Sequence, residues 1–154
     1  MKLVSYTDLA RIRFKDFLAE ETETYIEESG MTICVGLGGM EQFGESFFGW
    51  RQGDLFQTAE VTLDLRENSI LPKDIAEKIL HKLQLPVKKA MSTAQLIEIF
   101  GNPERSYSGS AGSFLRFVCG EPEKYFIGCV VEVKNGLSSV FLARKDYCDE
   151  NEAI

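Results

Sequence analysis

Residues 90–103, AMSTAQLIEIFGNP, constrain the fold more than any other stretch, because they encode one helix with both ends specified. Ser92 is placed to cap the N-terminus, and Gln95, three residues on, can return a hydrogen bond, which makes a capping box. Leu96, Ile97, Ile99 and Phe100 form a broad apolar stripe. Gly101 suits the left-handed position that ends a helix, and Pro103 blocks continuation. A helix over 92–100 with such a stripe needs an apolar surface to cover. The chain that follows it reads as strands able to supply one.

Those strands are marked by alternation and by turns. Ser113–Cys119 is a strand, 120–123 a Gly/Pro turn, and Tyr125–Lys134 a second strand with a bulge expected at Gly128. Asn135-Gly136 is a hairpin signal of the two-residue type I′ kind, with 137–144 as the partner strand. Residues 104–112 read as a polar segment or an edge strand. Upstream, Ala59, Val61, Leu63 and Leu65 alternate with Glu60, Thr62, Asp64 and Arg66, the pattern of a half-buried strand. Ile75, Ala76, Ile79, Leu80 and Leu83 define an amphipathic helix over 72–84, begun by Pro72 and Asp74 and ended by His81 and Lys82. A helix is expected over 7–20, a short buried strand over 31–35, and a frayed acidic tail over 146–154. The fold class is α+β: one domain over 1–154, an antiparallel sheet of about five to six strands, and helices on one face.

Charge narrows the partners. Seventeen basic and twenty-four acidic residues give −7, and 44% apolar content is ordinary for a globular protein. Nucleic acid and anionic membrane need a Lys/Arg excess and are excluded as partners. A basic protein surface is the complementary choice. The four cysteines lack C-x-x-C spacing, and His81 is the one histidine, so neither a metal site nor a Cys-His or Ser-His-Asp site is expected. Cys34 and Cys129 lie in apolar, strand-like runs and read as core. With no apolar signal segment in MKLVSYTDLARIRF and no membrane span, the expected compartment is the cytoplasm, with reduced thiols.

No catalytic residue, cofactor or metal is expected. Gly36-Leu37-Gly38-Gly39 follows a strand, but Glu41 stands where a dinucleotide loop needs its third glycine, and no Lys-Ser/Thr pair makes a Walker loop. The candidate partner surface is the acidic run Glu20, Glu21, Glu23, Glu27 and Glu28, together with Glu41, Glu45 and Asp54 flanking an aromatic stretch. Trp50 is its expected anchor, beside Arg51. Residues 1–84 carry nine basic and fifteen acidic side chains (−6), against eight and nine (−1) in 85–154, so attraction should centre on the N-terminal half. Two functions from different classes fit. One is a non-enzymatic acidic protein-binding domain; the other is a small enzyme or ligand-binding domain with a pocket in the Gly36–Trp50 region.

Residues 86–144 also resemble a module of the β-lactamase-inhibitor proteins and of the small lipoprotein of the outer-membrane β-barrel assembly machine. In that module a helix of the form small–Met–Ser/Thr–x–x–Gln–aliphatic ends in Gly–x–Pro and feeds an antiparallel hairpin. Met91, Ser92, Gln95, Leu96, Gly101 and Pro103 match it here. Ala90 stands where glycine is usual, and there is neither a second copy of the module nor a lipoprotein signal. The resemblance implies a protein-binding scaffold whose open sheet face grips a partner. In size, acidity and lack of catalytic residues the chain is also similar in character to bacterial toxin immunity proteins. That similarity implies an inhibitor neutralising a basic partner such as a toxin nuclease.

Overall fold

In the computed structural model, residues 6–13, 17, 40–51, 57–69, 71 and 73–152 are described. Their elements are α1 (Tyr6–Ala10), β1 (Met40–Phe43), β2 (Ser46–Arg51), β3 (Gln57–Asp64), α2 (Lys73–Lys82) and α3 (Thr93–Phe100). There follow β4 (Arg105–Ser108), β5 (Gly112–Cys119), β6 (Tyr125–Glu132), β7 (Gly136–Arg144) and α4 (Lys145–Glu152). The fold is α+β, and the strands make one seven-stranded antiparallel sheet in the order β1-β2-β3-β7-β6-β5-β4.

Period-two alternation puts an apolar row on one face of each central strand. Register aligns these rows across the sheet: Val61 lies beside Leu142, Leu142 beside Ile127 and Ile127 beside Phe117. One step along, Leu63, Val140, Cys129 and Leu115 form a second row. All eight are 4% exposed or less. The first helices close over this face. Leu9 and Ile12 from α1 and its exit, Ile75, Ala76, Ile79 and Leu80 from α2, and Leu96 from α3 belong to the same core cluster. Leu83, Leu85 and Val87 continue it through the connection to α3.

The N-terminal boundary of α3 is as its sequence specifies: Ser92 Oγ accepts from Gln95 N–H, and Gln95 Oε1 accepts from Ser92 N–H. Gly101 ends the helix with positive φ (85°), but its ψ of −159° lies outside the left-handed helical conformation expected there. Its stripe is buried unevenly. Leu96 is fully buried, Phe100 meets the Phe117 ring at 5.0 Å, and Ile97 and Ile99 are half-buried. Eight residues turn only part of a broad stripe directly onto the sheet.

Four local expectations are corrected. The helix expected over 7–20 ends at Ala10, and the described residues 11–13 lie outside it. The β6–β7 hairpin closes with Glu132 opposite Gly136, so its loop is Val133-Lys134-Asn135 rather than a two-residue type I′ turn. Gly136, directly after that loop, has positive φ (70°), the arrangement in which a glycine follows an ordinary turn. The close approach of Ala90 explains the glycine, since a Cβ on Gly136 would press into the Ala90 backbone. The irregularity in β6 falls between Val130 and Val131, not at Gly128. The tail expected to fray forms α4, held by Arg51 and Arg144, both of which pair with Asp146.

No helix among the described residues is long and apolar enough to cross a membrane.

Candidate functional site

The second face of the sheet is built by the other parity of each strand, and α1–α3 do not cover it. Tyr107 of β4, Phe114 of β5 and Phe141 of β7 lie on it as one row of rings. Tyr107 and Phe114 stack at 5.6 Å with planes 18° apart, and Phe114 and Phe141 at 6.0 Å with planes 5° apart. Strand β6 would separate Phe114 from Phe141, but it presents Gly128 there. Gly128 pairs with Phe141, whose ring fills the space a Cβ would occupy. The glycine thus lets an aromatic side chain lie flat across its strand, a recognised way of covering a strand glycine.

Around this row the face stays open in a graded way. Tyr107 is 56% exposed and Val130 40%, while Phe114 and Phe141 are half-buried. A shallow depression of about 480 Å³ lies beside Tyr107 and Phe114, floored by Gly112 and Val130. Toward the other end, Phe126 is covered by cations. The Arg116 guanidinium lies 4.1 Å from its ring centroid and Lys145 Nζ 5.9 Å. Arg116 is fixed there by Glu104, at 2.8 Å, and that hydrogen bond holds the Glu104 carboxyl below the usual range. Beside Phe126, α4 closes the face. Burial raises the Tyr147 phenol, the nearby Glu60 charge adding to the shift, and burial likewise raises Glu60.

The residues expected to bind a partner are placed differently. Glu20, Glu21, Glu23, Glu27, Glu28 and Asp54 lie outside the described residues, as do Cys34 and Gly36–Gly39. Glu41 lies on β1 opposite Phe48. Glu45 is exposed at the β1–β2 turn and forms an ion pair with Arg66. Trp50 is not an exposed anchor: at 7% exposure it packs in the core beside Phe48, because alternation along β2 turns positions 48 and 50 inward. Arg51 is also committed, to Asp146 (2.6 Å) and Glu150 of α4. Its partners lie 95 and 99 positions away, beyond any local pattern. The described part of the Gly36–Trp50 region is a hairpin at the sheet edge whose β2 aromatics pack inward or lie half-buried.

His81 is exposed at the end of α2. Cys119 and Cys129 are buried, and burial pushes their thiols up to about 11 and about 12. The Tyr125 phenol is fully buried without a hydrogen-bond partner among the described atoms, and burial pushes its pKa up. It faces the core, away from the aromatic row.

No family model matches the chain, and no curated protein or solved structure matches it.

The aromatic row was within reach of the sequence. The apolar runs Phe114-Leu115 and Val140-Phe141-Leu142 break strict alternation, so those strands carry apolar side chains to both faces.

Proposed function

We propose that this chain is a non-enzymatic protein-binding domain, of the inhibitor or immunity kind, that grips a basic protein partner with its open sheet face. The observation that carries the reading is the ring row Tyr107–Phe114–Phe141 on the sheet face opposite the main core, at the end that none of the described helices covers. Rigid aromatic side chains give large contact area at low cost in rotamer freedom, and contiguous exposed apolar surface marks interaction sites. The same face is the one through which the resemblance of residues 86–144 implies binding. The basic character of the partner rests on the net charge of −7. Opposite charge speeds encounter and disfavours wrong partners, and its reach is about 8 Å at physiological salt.

Affinity capture from cells that make the protein tests this, with captured proteins identified by mass spectrometry. The wild-type chain should retain a strongly basic protein. Tyr107→Ala with Phe114→Ala should lose it while circular dichroism stays unchanged. Against the purified partner, association should slow as salt rises while dissociation changes less. Retention unaffected by the double substitution would remove the face from the reading, and a salt-independent association rate would remove the electrostatic part.

A further inference from the structure

Strand β4 ends the sheet and pairs only with β5 among the described elements. All four of its residues, Arg105-Ser106-Tyr107-Ser108, are exposed. The ladder fixes which backbone groups are spare. Gly109 N–H donates to the Gly112 carbonyl (2.9 Å), in the same register as Tyr107 with Phe114. Antiparallel bonding alternates, so Tyr107 turns its backbone groups toward β5, and Ser106 and Ser108 turn theirs outward. Consistent with this, Ser108 and Ser113 are opposed as a close pair that exchanges no backbone bonds, their hydroxyls hydrogen-bonded at 3.1 Å.

We infer that this edge pairs with the β4 of a second copy of the same chain, antiparallel, about a two-fold axis at Ser106. The register follows from the residues. A two-fold axis can pass through either type of pair, and the one at Ser106 is singled out by what it sets opposite: the outward backbone groups of Ser106 meet those of Ser106 of the copy. It places Arg105 opposite Tyr107 of the copy, twice, on the aromatic side of the sheet and in the pair type whose side chains lie closest. Arg105 is suited to that meeting. Its guanidinium has no ion pair among the described residues and makes only a 3.4 Å contact with its own Tyr107 hydroxyl, while the Tyr107 ring is 56% exposed. A cation over a tyrosine face is the complementarity the pairing supplies. The ring rows of the two chains then run toward each other across the axis. This pairing does not depend on the partner reading above.

The two-fold places the Cα atoms of the two Ser106 residues about 5.5 Å apart, within disulfide reach, and those of the two Ser108 residues about 14 Å apart, outside it. The test is oxidative cross-linking of the full chain carrying Ser106→Cys or Ser108→Cys, with linked residues mapped by mass spectrometry. Sedimentation of the unsubstituted chain from micromolar to millimolar concentration accompanies it. A 106–106 link, little or no 108–108 link, and a mass rising toward two chains are expected. Ser106→Pro removes an outward N–H that β5 does not use, and should hold the mass at one chain with unchanged circular dichroism. A mass of one chain throughout with no 106–106 link overturns the inference, as does dimerisation that Ser106→Pro leaves intact. An edge reserved for another protein's strand would give the first of these results.

Discussion

Leu96→Ala tests whether α3 is held as described. Leu96 is the one residue of α3 that is fully buried, and it sits in the core cluster over the β5–β6–β7 face. The substitution removes three carbon groups, and at ~0.8 kcal/mol for each the transfer term is about 2.4 kcal/mol. Phe117 and the strand side chains below are themselves held by the sheet, so the space closes only partly. A residual cavity of ~50 Å³ at ~24 cal/mol per Å³ adds about 1 kcal/mol, for a total near 3–4 kcal/mol. Ile99 lies on the same helix but is half-buried. Ile99→Ala therefore forfeits roughly half the transfer term and leaves no closed cavity, a cost of about 1–2 kcal/mol. Urea unfolding read by circular dichroism at fixed pH measures both, with the emission of buried Trp50, the only tryptophan, as a second probe of the same core. Equal costs for the two variants, or a Leu96→Ala cost under about 1 kcal/mol with unchanged urea dependence, would refute the packing argument.

Gly128→Ala should cost roughly 1–3 kcal/mol, because the new methyl takes the space of the Phe141 ring; the same variant with Phe141→Leu should recover part of the loss in thermal unfolding. Ala90 adopts φ 69°, a conformation that costs a side chain, so Ala90→Gly should stabilise by about 0.5–1 kcal/mol in the same unfolding assay. For Asp64, burial raises the carboxyl pKa, but hydrogen bonds and charge from Arg66 outweigh it and leave it below 3.8. Its contribution to stability is therefore complete above the unfolded pKa and is lost as pH falls through the folded one. Asp64→Asn should flatten the fall in stability below about pH 4 in denaturant titrations. His81→Ala should shift stability by less than about 0.5 kcal/mol and leave partner capture unchanged, because the side chain is exposed at a helix end.

Consecutive residues specify the elements from β3 to β7 and most of the core that those elements bury. The signals at Ser92, Gln95 and Gly101 are short-range, each closing within one helical turn, and the structure keeps them. The same holds for the inward parity of Val61 and Leu63, and for Ile75, Ile79 and Leu83, because periodicity states which side of an element is apolar. Periodicity does not state what covers that side, nor whether the other side is wet. Trp50 reads as a contact anchor because Trp and Arg are common at binding hot spots, yet β3 and the core receive it; that depends on β2 pairing with β3, a tertiary fact. Arg51 needed α4, and α4 needed Arg51, across nearly a hundred positions of chain. Phe114 and Phe141 are twenty-seven residues apart in sequence. Only register, with Gly128 between them, makes them neighbours in one row. Short-range hydrogen bonds and alternation are written in consecutive residues, whereas a binding face is composed by strand order and register, which the whole chain settles when it packs.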